Sequence, residues 1–262
     1  MHPTLQVQAI ELRVPDLARS VDFYSRQLGF GVLRQAGGRA ELATAVDGAV
    51  VLTLIEDRTA RRAPTEAAGL FHAALLLPDR AALGNWLRRA AEQGVRFEGF
   101  SDHGVSEALY LSDPDGNGLE LYSDRPRDAW PRAKNGTDLA MYTHPLDLDN
   151  LMAAGAAGRA DALLTGARWG HLHLSVTNLD HSETFYKSAL GMSLMVSLGD
   201  SARFLAADGY HHHLGLNTWA RATKPQPAGA LGLASATFAK AGMTAEQRLS
   251  DPDGMAIRVV PM

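Results

Sequence analysis

The stretch from Ile10, IELRVPDLARSVDFYSRQLGF, returns at Leu172 as LHLSVTNLDHSETFYKSALGM. Leu12 matches Leu174, Val14 matches Val176, Leu17 matches Leu179 and Ser20 matches Ser182. Phe23-Tyr24 and Leu28-Gly29 return as Phe185-Tyr186 and Leu190-Gly191. Each copy reads as a strand of alternating apolar residues, a turn at Pro15-Asp16 or Thr177-Asn178, and an amphipathic helix stopped by glycine. A chain built from such copies is held to an internally repeated α+β fold, because one unit cannot bury its apolar face alone. LFHAALLLPDRAALGNWLRRAAEQGV, after Gly69, follows the same order of strand, Pro-Asp turn and helix, ending at Gly94. Gly232-Leu233 echoes Gly69-Leu70, and DPDGMAIRVV from Asp251 echoes the DPDG at Asp113. Gly69 to Asp113 spans 44 positions but Gly232 to Asp251 only 19, so the last unit lacks about a helix and a strand. The expected units are residues 5–58, 68–124, 168–220 and a shortened 228–262. Residues 125–167, rich in Pro, Ala, Gly and charge, read as a linker with a short helix around Asp147 to Ala154.

Composition removes several function classes. A net charge of -4 gives no electrostatic footprint for nucleic acid or an anionic membrane. No apolar run is long enough to span a bilayer, and MHPTLQVQAIELRV has neither the basic flank nor the apolar stretch of a signal peptide, so a cytoplasmic protein is expected. The absence of cysteine excludes disulfides, thiolate metal sites and cysteine nucleophiles. Any metal must be held by nitrogen and oxygen, which makes the ten histidines the inventory to sort.

Residues 101 to 120, SDHGVSEALYLSDPDGNGLE, place a histidine, a tyrosine and a carboxylate around a dense turn signal. In DPDG followed by Asn117-Gly118, proline fixes φ and glycine supplies positive φ. The flanks Glu107 to Ser112 and Leu119 to Tyr122 have strand spacing, so Tyr110 and Glu120 are expected near one another on adjacent antiparallel strands. This run resembles the signature of extradiol ring-cleavage dioxygenases. His103, Leu109, Tyr110, Asp113, Pro114, Gly116 and Glu120 fall in step with it, and Ser101 departs at the position two before the histidine.

Together with the repeat, the resemblance implies the vicinal oxygen chelate fold, with four βαβββ units paired as cupped mixed sheets. In that fold the metal ligands lie early on the first strand and on the last strand of a unit. Counting back five from Leu77 and from Val176 gives His72 and His171, whereas the same count from Val14 gives Ala9. Ser235 and Arg258 stand where the fourth unit would match His72 and Glu120. Units one and four thus lack ligands, so a complete site needs unit two paired with three, and unit one with four. The site is then His72, His171 and Glu120, a two-histidine, one-carboxylate set suited to Fe(II), with Mn(II) the weaker choice.

The resemblance also implies that His103 and Tyr110 hydrogen-bond the substrate. Similar dioxygenases carry an acid-base histidine on the strand read here as GYHHHLGLN. Strand alternation puts His211 and His213 on one face and His212 on the other, so His213 is expected in that role with His211 its nearest competitor. His173 shares the face of His171. His2, His144 and His181 read as surface residues, and Trp219, Tyr122 and Phe97 as core. The implied activity is extradiol cleavage of a catechol by O2 to a muconic semialdehyde type of product. The alternatives are a glyoxalase-like isomerase, which would show a second carboxylate ligand, and a metal-free binding protein, which would have lost ligands everywhere. The expected partners are an aromatic diol and O2, and exposed strand edges on the shortened unit favour a homo-oligomer.

Overall fold

The computed structural model describes residues 3–45, 48–134, 139–155 and 164–262. In the first repeat, strand β1 (Leu5–Val14) leads to helix α1 (Leu17–Asp22), which continues as a π-helical turn through Leu28. β2 (Gly31–Ala36), β3 (Arg39–Ala43) and β4 (Leu52–Glu56) follow. The second runs β5 (Gly69–Leu76), α2 (Arg80–Glu92), β6 (Gly99–Asp102), β7 (Ser106–Ser112) and β8 (Gly118–Asp124). After helix α3 (Leu148–Ala154), the third runs β9 (Arg168–Ser175), α4 (Leu179–Leu190), β10 (Ser193–Leu198), β11 (Ala202–Ala206) and β12 (Leu214–Asn217). The last stretch holds β13 (Gly232–Lys240), β14 (Gln247–Ser250) and β15 (Ala256–Pro261), with no helix between them.

Local chemistry sets the helix ends. Asp16, Asp79 and Asn178 each accept the backbone N–H three residues on, at 3.0, 2.8 and 2.9 Å. Gly29 and Gly191 close the first and third helices in the left-handed region, at φ 99° and 73°.

The strands form two mixed sheets. One has the order β14-β15-β13-β1-β4-β3-β2 and joins the first repeat to the last; the other, β10-β11-β12-β9-β5-β8-β7-β6, joins the second to the third. β1 meets β13, and β5 meets β9, in antiparallel pairs at the middle of each sheet. A continuous apolar core takes residues from both sheets, including Val7, Leu12, Leu75, Leu121, Leu174 and Leu216. Side chains alternate along β8, so Leu119 and Leu121 enter that core while Glu120 and Tyr122 stand on the opposite, cupped face.

The two DPDG turns tie the repeats together. Asp113 accepts the backbone N–H groups of Asp115 and Asn117, each at 2.8 Å, and the Tyr24 hydroxyl at 3.0 Å. Asp251 repeats the pattern with Asp253 and Met255, at 2.9 and 2.8 Å, and with the Tyr186 hydroxyl at 2.9 Å. The tyrosine of each Phe-Tyr pair therefore caps the aspartate turn of the unit that follows it, and Tyr24 to Asp113 spans the two sheets. Burial raises both carboxyls above their usual range. Burial, and then the adjoining aspartate, raises both tyrosine hydroxyls well above theirs.

The linker wraps the cup. Trp130 packs on Tyr210 and His211, and His144 pairs with Asp102 at the end of β6. Among the described residues no helix is long and apolar enough to cross a membrane.

Tyr24→Phe and Tyr186→Phe each remove a buried donor from a carboxylate and are expected to destabilise the protein by about 1–3 kcal/mol in urea unfolding. Two variants as stable as the parent would show that the ties carry no stability.

Candidate metal centre

Register across three strands builds the site. Ala74 on β5 pairs with Glu120 on β8 and with His171 on β9, so the three stand in one row on the cupped face. The small alanine lets the carboxylate and the imidazole meet above it. His72, two residues back on β5, shares that face. Its Nε2 lies 3.0 Å from Glu120 Oε2, and His171 Nε2 lies 3.1 Å from the same oxygen. One donor atom from each of the three lies within 4.8 Å of the others, and all three residues are buried.

The donor set fits a metal ion. His72 Nε2 makes no hydrogen bond despite its closeness to Glu120, because the ring does not aim an N–H at the carboxylate. Other carboxylates of the chain are answered within the protein. Buried Glu107 takes Arg80 at 2.6 Å and Arg125 at 3.1 Å, buried Asp115 takes Arg19, and half-buried Glu11 takes Arg39 and Ser235. Glu120 has two imidazoles instead. Burial alone would push its carboxyl up, but the His171 and His72 rings hold it well below the usual range. Burial pushes His171 down to about 4, which keeps that ring neutral and able to bind a cation.

The centre opens into a cavity of about 440 Å³. His103 and Tyr110 line it. His103 Nδ1 lies 2.8 Å from the Tyr142 carbonyl oxygen, which can only accept, so Nδ1 carries the proton. With one proton on the ring, Nε2 is then the acceptor for the Tyr110 hydroxyl 2.8 Å away, and burial and then the nearby Glu120 carboxylate raise that hydroxyl well above its usual range. On the other side the cavity is walled by Phe71, Leu198, Phe204 and Trp219.

Comparison with known proteins agrees with this geometry. Residues 6–121 match the model of the Glyoxalase/Bleomycin resistance protein/Dioxygenase superfamily. The chain is 41% identical over 237 residues to the catechol-2,3-dioxygenase of Bacillus subtilis (strain 168), covering 89% of this chain and 82% of that protein. This chain belongs to the catechol-2,3-dioxygenase family. A trivalent organoarsenical cleaving enzyme from Thermomonospora curvata is 32% identical over 117 residues, covering 43% of this chain and 74% of that enzyme. Two crystal structures share the fold. A putative dioxygenase from Bacillus subtilis aligns with TM-score 0.65 at 12% identity, over all of this chain and 86% of that one. Glyoxalase I from Zea mays aligns with TM-score 0.59 at 16% identity, over 99% and 93%.

For this family member the histidine run needs a correction. His212, not His213, lines the cavity at the candidate centre, with its ring centroid 4.0 Å from that of His171. His213 lines a separate cavity beside Asp208 and Tyr210, and its Nδ1 accepts the Ala207 N–H at 3.3 Å. His211 is turned away as well, with Nε2 2.8 Å from Asp124. The reason is that β12 begins only at Leu214. Residues 210–212 form an irregular turn before the ladder, which His213 joins through its backbone, donating to the Leu205 carbonyl at 2.8 Å and accepting the Leu172 N–H at 3.1 Å, so strict alternation cannot be carried back through the histidine run. Burial, and then the neighbouring histidine rings, hold His212 well below the usual imidazole range.

His173 does line the cavity, and Gly215 makes room for it: a Cβ there would come within 2.8 Å of the ring. His144 and His181 are exposed, and His2 lies outside the described residues. Phe97 packs on Trp86 and Phe100, and Tyr122 is buried with its hydroxyl on Tyr210. Trp219, read as core, is 46% exposed at the cavity mouth. Phe71, Leu198 and Tyr142 were also not legible as site residues. Phe71 sits in a bulge where the β5–β9 register shifts between Leu70 and His72, which brings its ring beside His72.

The His213 ring has a testable consequence. Burial pushes it from 6.5 down to about 4, so it stays neutral in the fold while the unfolded chain takes up a proton below about 6.5. The unfolded state binds more protons between those values, and stability falls as pH drops through them, by up to about 3 kcal/mol from this group. His213→Gln, which keeps an acceptor for Ala207, is expected to flatten that part of the stability–pH curve measured by urea unfolding. An unchanged slope would assign it to other groups.

Proposed function

We propose that this chain is an extradiol dioxygenase, opening the ring of a catechol-type diol with O2 to a muconic semialdehyde-type product. The observation that carries the reading is a buried carboxylate, Glu120, with Nε2 of His72 and of His171 at 3.0 and 3.1 Å from one of its oxygens, facing a cavity lined by further proton-handling groups. The 41% identity to a protein named catechol-2,3-dioxygenase supports it. The same reading takes residues 5–58, 68–124, 168–220 and 228–262 as four copies of one βαβββ unit, the last without its helix.

His72, His171 and Glu120 would hold Fe(II), with Mn(II) as second choice, and a bound ion supplies open positions at which a diol and O2 can meet. The remaining work belongs to side chains. His212, neutral at rest and facing the cavity, takes a proton from the diol as it binds. Tyr110, whose own proton is directed to His103, presents its oxygen to the substrate as an acceptor. Phe71, Phe204 and Trp219 provide a wall for the aromatic ring and keep water from it.

The lining also bears on the ring's substituents. No lysine or arginine lines the cavity among the described residues, so a carboxylate on the substrate would meet no cation beyond the metal. Phe71, Tyr142, Leu198 and Trp219 are large apolar side chains left exposed at its rim. We therefore propose uncharged catechols with an apolar substituent as the substrate class.

The test is anaerobic reconstitution with Fe(II), followed by catechols and air while O2 uptake and the yellow ring-opened product are followed. Uptake matching colour, with kcat/KM at least about 10-fold higher for an alkyl-substituted than for a carboxylated catechol, is expected. No uptake from any catechol by protein that retains metal would remove the dioxygenase reading and favour an isomerase. His72→Ala and Glu120→Ala are expected to lose the metal. His212→Phe should keep it while kcat falls by about 10²-fold or more, and full activity in that variant would take His212 out of the reaction.

A further inference from the structure

His211 is fully buried and takes no part in the cavity, yet both of its ring nitrogens are engaged. Nε2 lies 2.8 Å from Asp124 Oδ1, and Nδ1 lies 2.8 Å from Nδ1 of His212. The ring is clamped between Tyr210 and Trp130, with centroids 4.0 and 5.3 Å away. Asp124 stands on the same face of β8 as Glu120 and Tyr122, and it also accepts the Tyr210 hydroxyl at 2.9 Å. Tyr122 and Tyr210 bond through their hydroxyls at 2.9 Å; with Tyr210's proton directed to Asp124, Tyr122 is the donor of that pair.

The proton positions follow from the ends of this chain. An ionised carboxylate only accepts, so His211 carries its proton on Nε2. A His211 ring that holds only this proton has a lone pair at Nδ1, and the proton between the two Nδ1 atoms then belongs to His212. That leaves Nε2 of His212 without a proton, and among the described residues it makes no hydrogen bond. We propose that Asp124 and His211 are positioning residues that hold His212 in its Nδ1–H tautomer, with the Nε2 lone pair turned to the metal cavity. Neither residue lines the cavity, and His211 meets the centre only through its ring's neighbours, His212 and, edge-on at 6.3 Å between centroids, His171. The two residues decide whether His212 meets the diol as an acceptor or as a donor. The inference rests on the reading of His212 as the residue that takes the diol proton.

The full chain, labelled with ¹⁵N-histidine and loaded with diamagnetic Zn(II), is read by long-range proton–nitrogen correlation NMR. His212 is assigned from the ring signals lost in His212→Gln. The expected result in the parent protein is the Nδ1–H tautomer at His212, and a protonated Nε2 with bare Nδ1 would overturn the proposal without reference to activity. In Asp124→Ala and in His211→Phe the His212 ring is expected to redistribute toward Nε2–H. With Fe(II) in place, kcat in these variants should fall by about 10²-fold while KM and bound metal stay within about twofold of the parent. An Nδ1–H ring retained in both variants overturns the positioning role. A shifted tautomer with unchanged kcat supports the positioning role and removes His212 from the chemistry.

Discussion

One carboxylate governs this molecule. Glu120 is buried on a strand in the middle of a sheet, where an ionised group needs a cation close by. The fold contains the contrast that gives this weight. In the other sheet Glu11 is neutralised by Arg39 and held by Ser235, a solution that closes the position to any ion. In the sheet that carries Glu120 the neighbouring strands offer His72 and His171, both buried, and burial keeps the His171 ring neutral. The same architecture thus yields one cup closed by a guanidinium and one left with a set of donors.

Much of the arrangement around Glu120 serves its placement. The DPDG turn fixes the register in which Tyr110 stands directly opposite Glu120. Asp113 locks that turn by accepting two backbone N–H groups and the Tyr24 hydroxyl from the other sheet. Ala74 keeps the space between Glu120 and His171 narrow. The linker then brings Tyr142, whose carbonyl sets the His103 ring and through it the Tyr110 proton. One side of the cavity is accordingly a set of oriented polar groups and the other an apolar wall.

What could be read from sequence was what depends on periodicity. Leu12 and Val14 matched to Leu174 and Val176 gave the strands, Asp16 and Asn178 with Gly29 and Gly191 gave the helix limits, and DPDG gave the hairpin with Tyr110 and Glu120. His72 and His171 followed from equal positions in their repeats, and the sheet order joins the units that the ligand positions required. What could not be read lies where periodicity stops. His212 reaches the cavity because residues 210–212 form an irregular turn before the ladder, and Phe71 reaches the rim through a bulge. Tyr142 and Trp219 come from segments whose path is set by tertiary contact, which leaves no local pattern in the chain.

The central claim is that this centre inserts O2 into an aromatic diol. Its most direct measurement is single turnover of a catechol under oxygen-18 by the Fe(II)-loaded protein, with immediate quenching and mass analysis of the product. The account predicts a ring-opened semialdehyde that carries both atoms of one O2 molecule, one in the new carboxylate and one in the carbonyl before it exchanges with water. A product without label, or a labelled dicarboxylate cut between the two hydroxyl-bearing carbons, would contradict it.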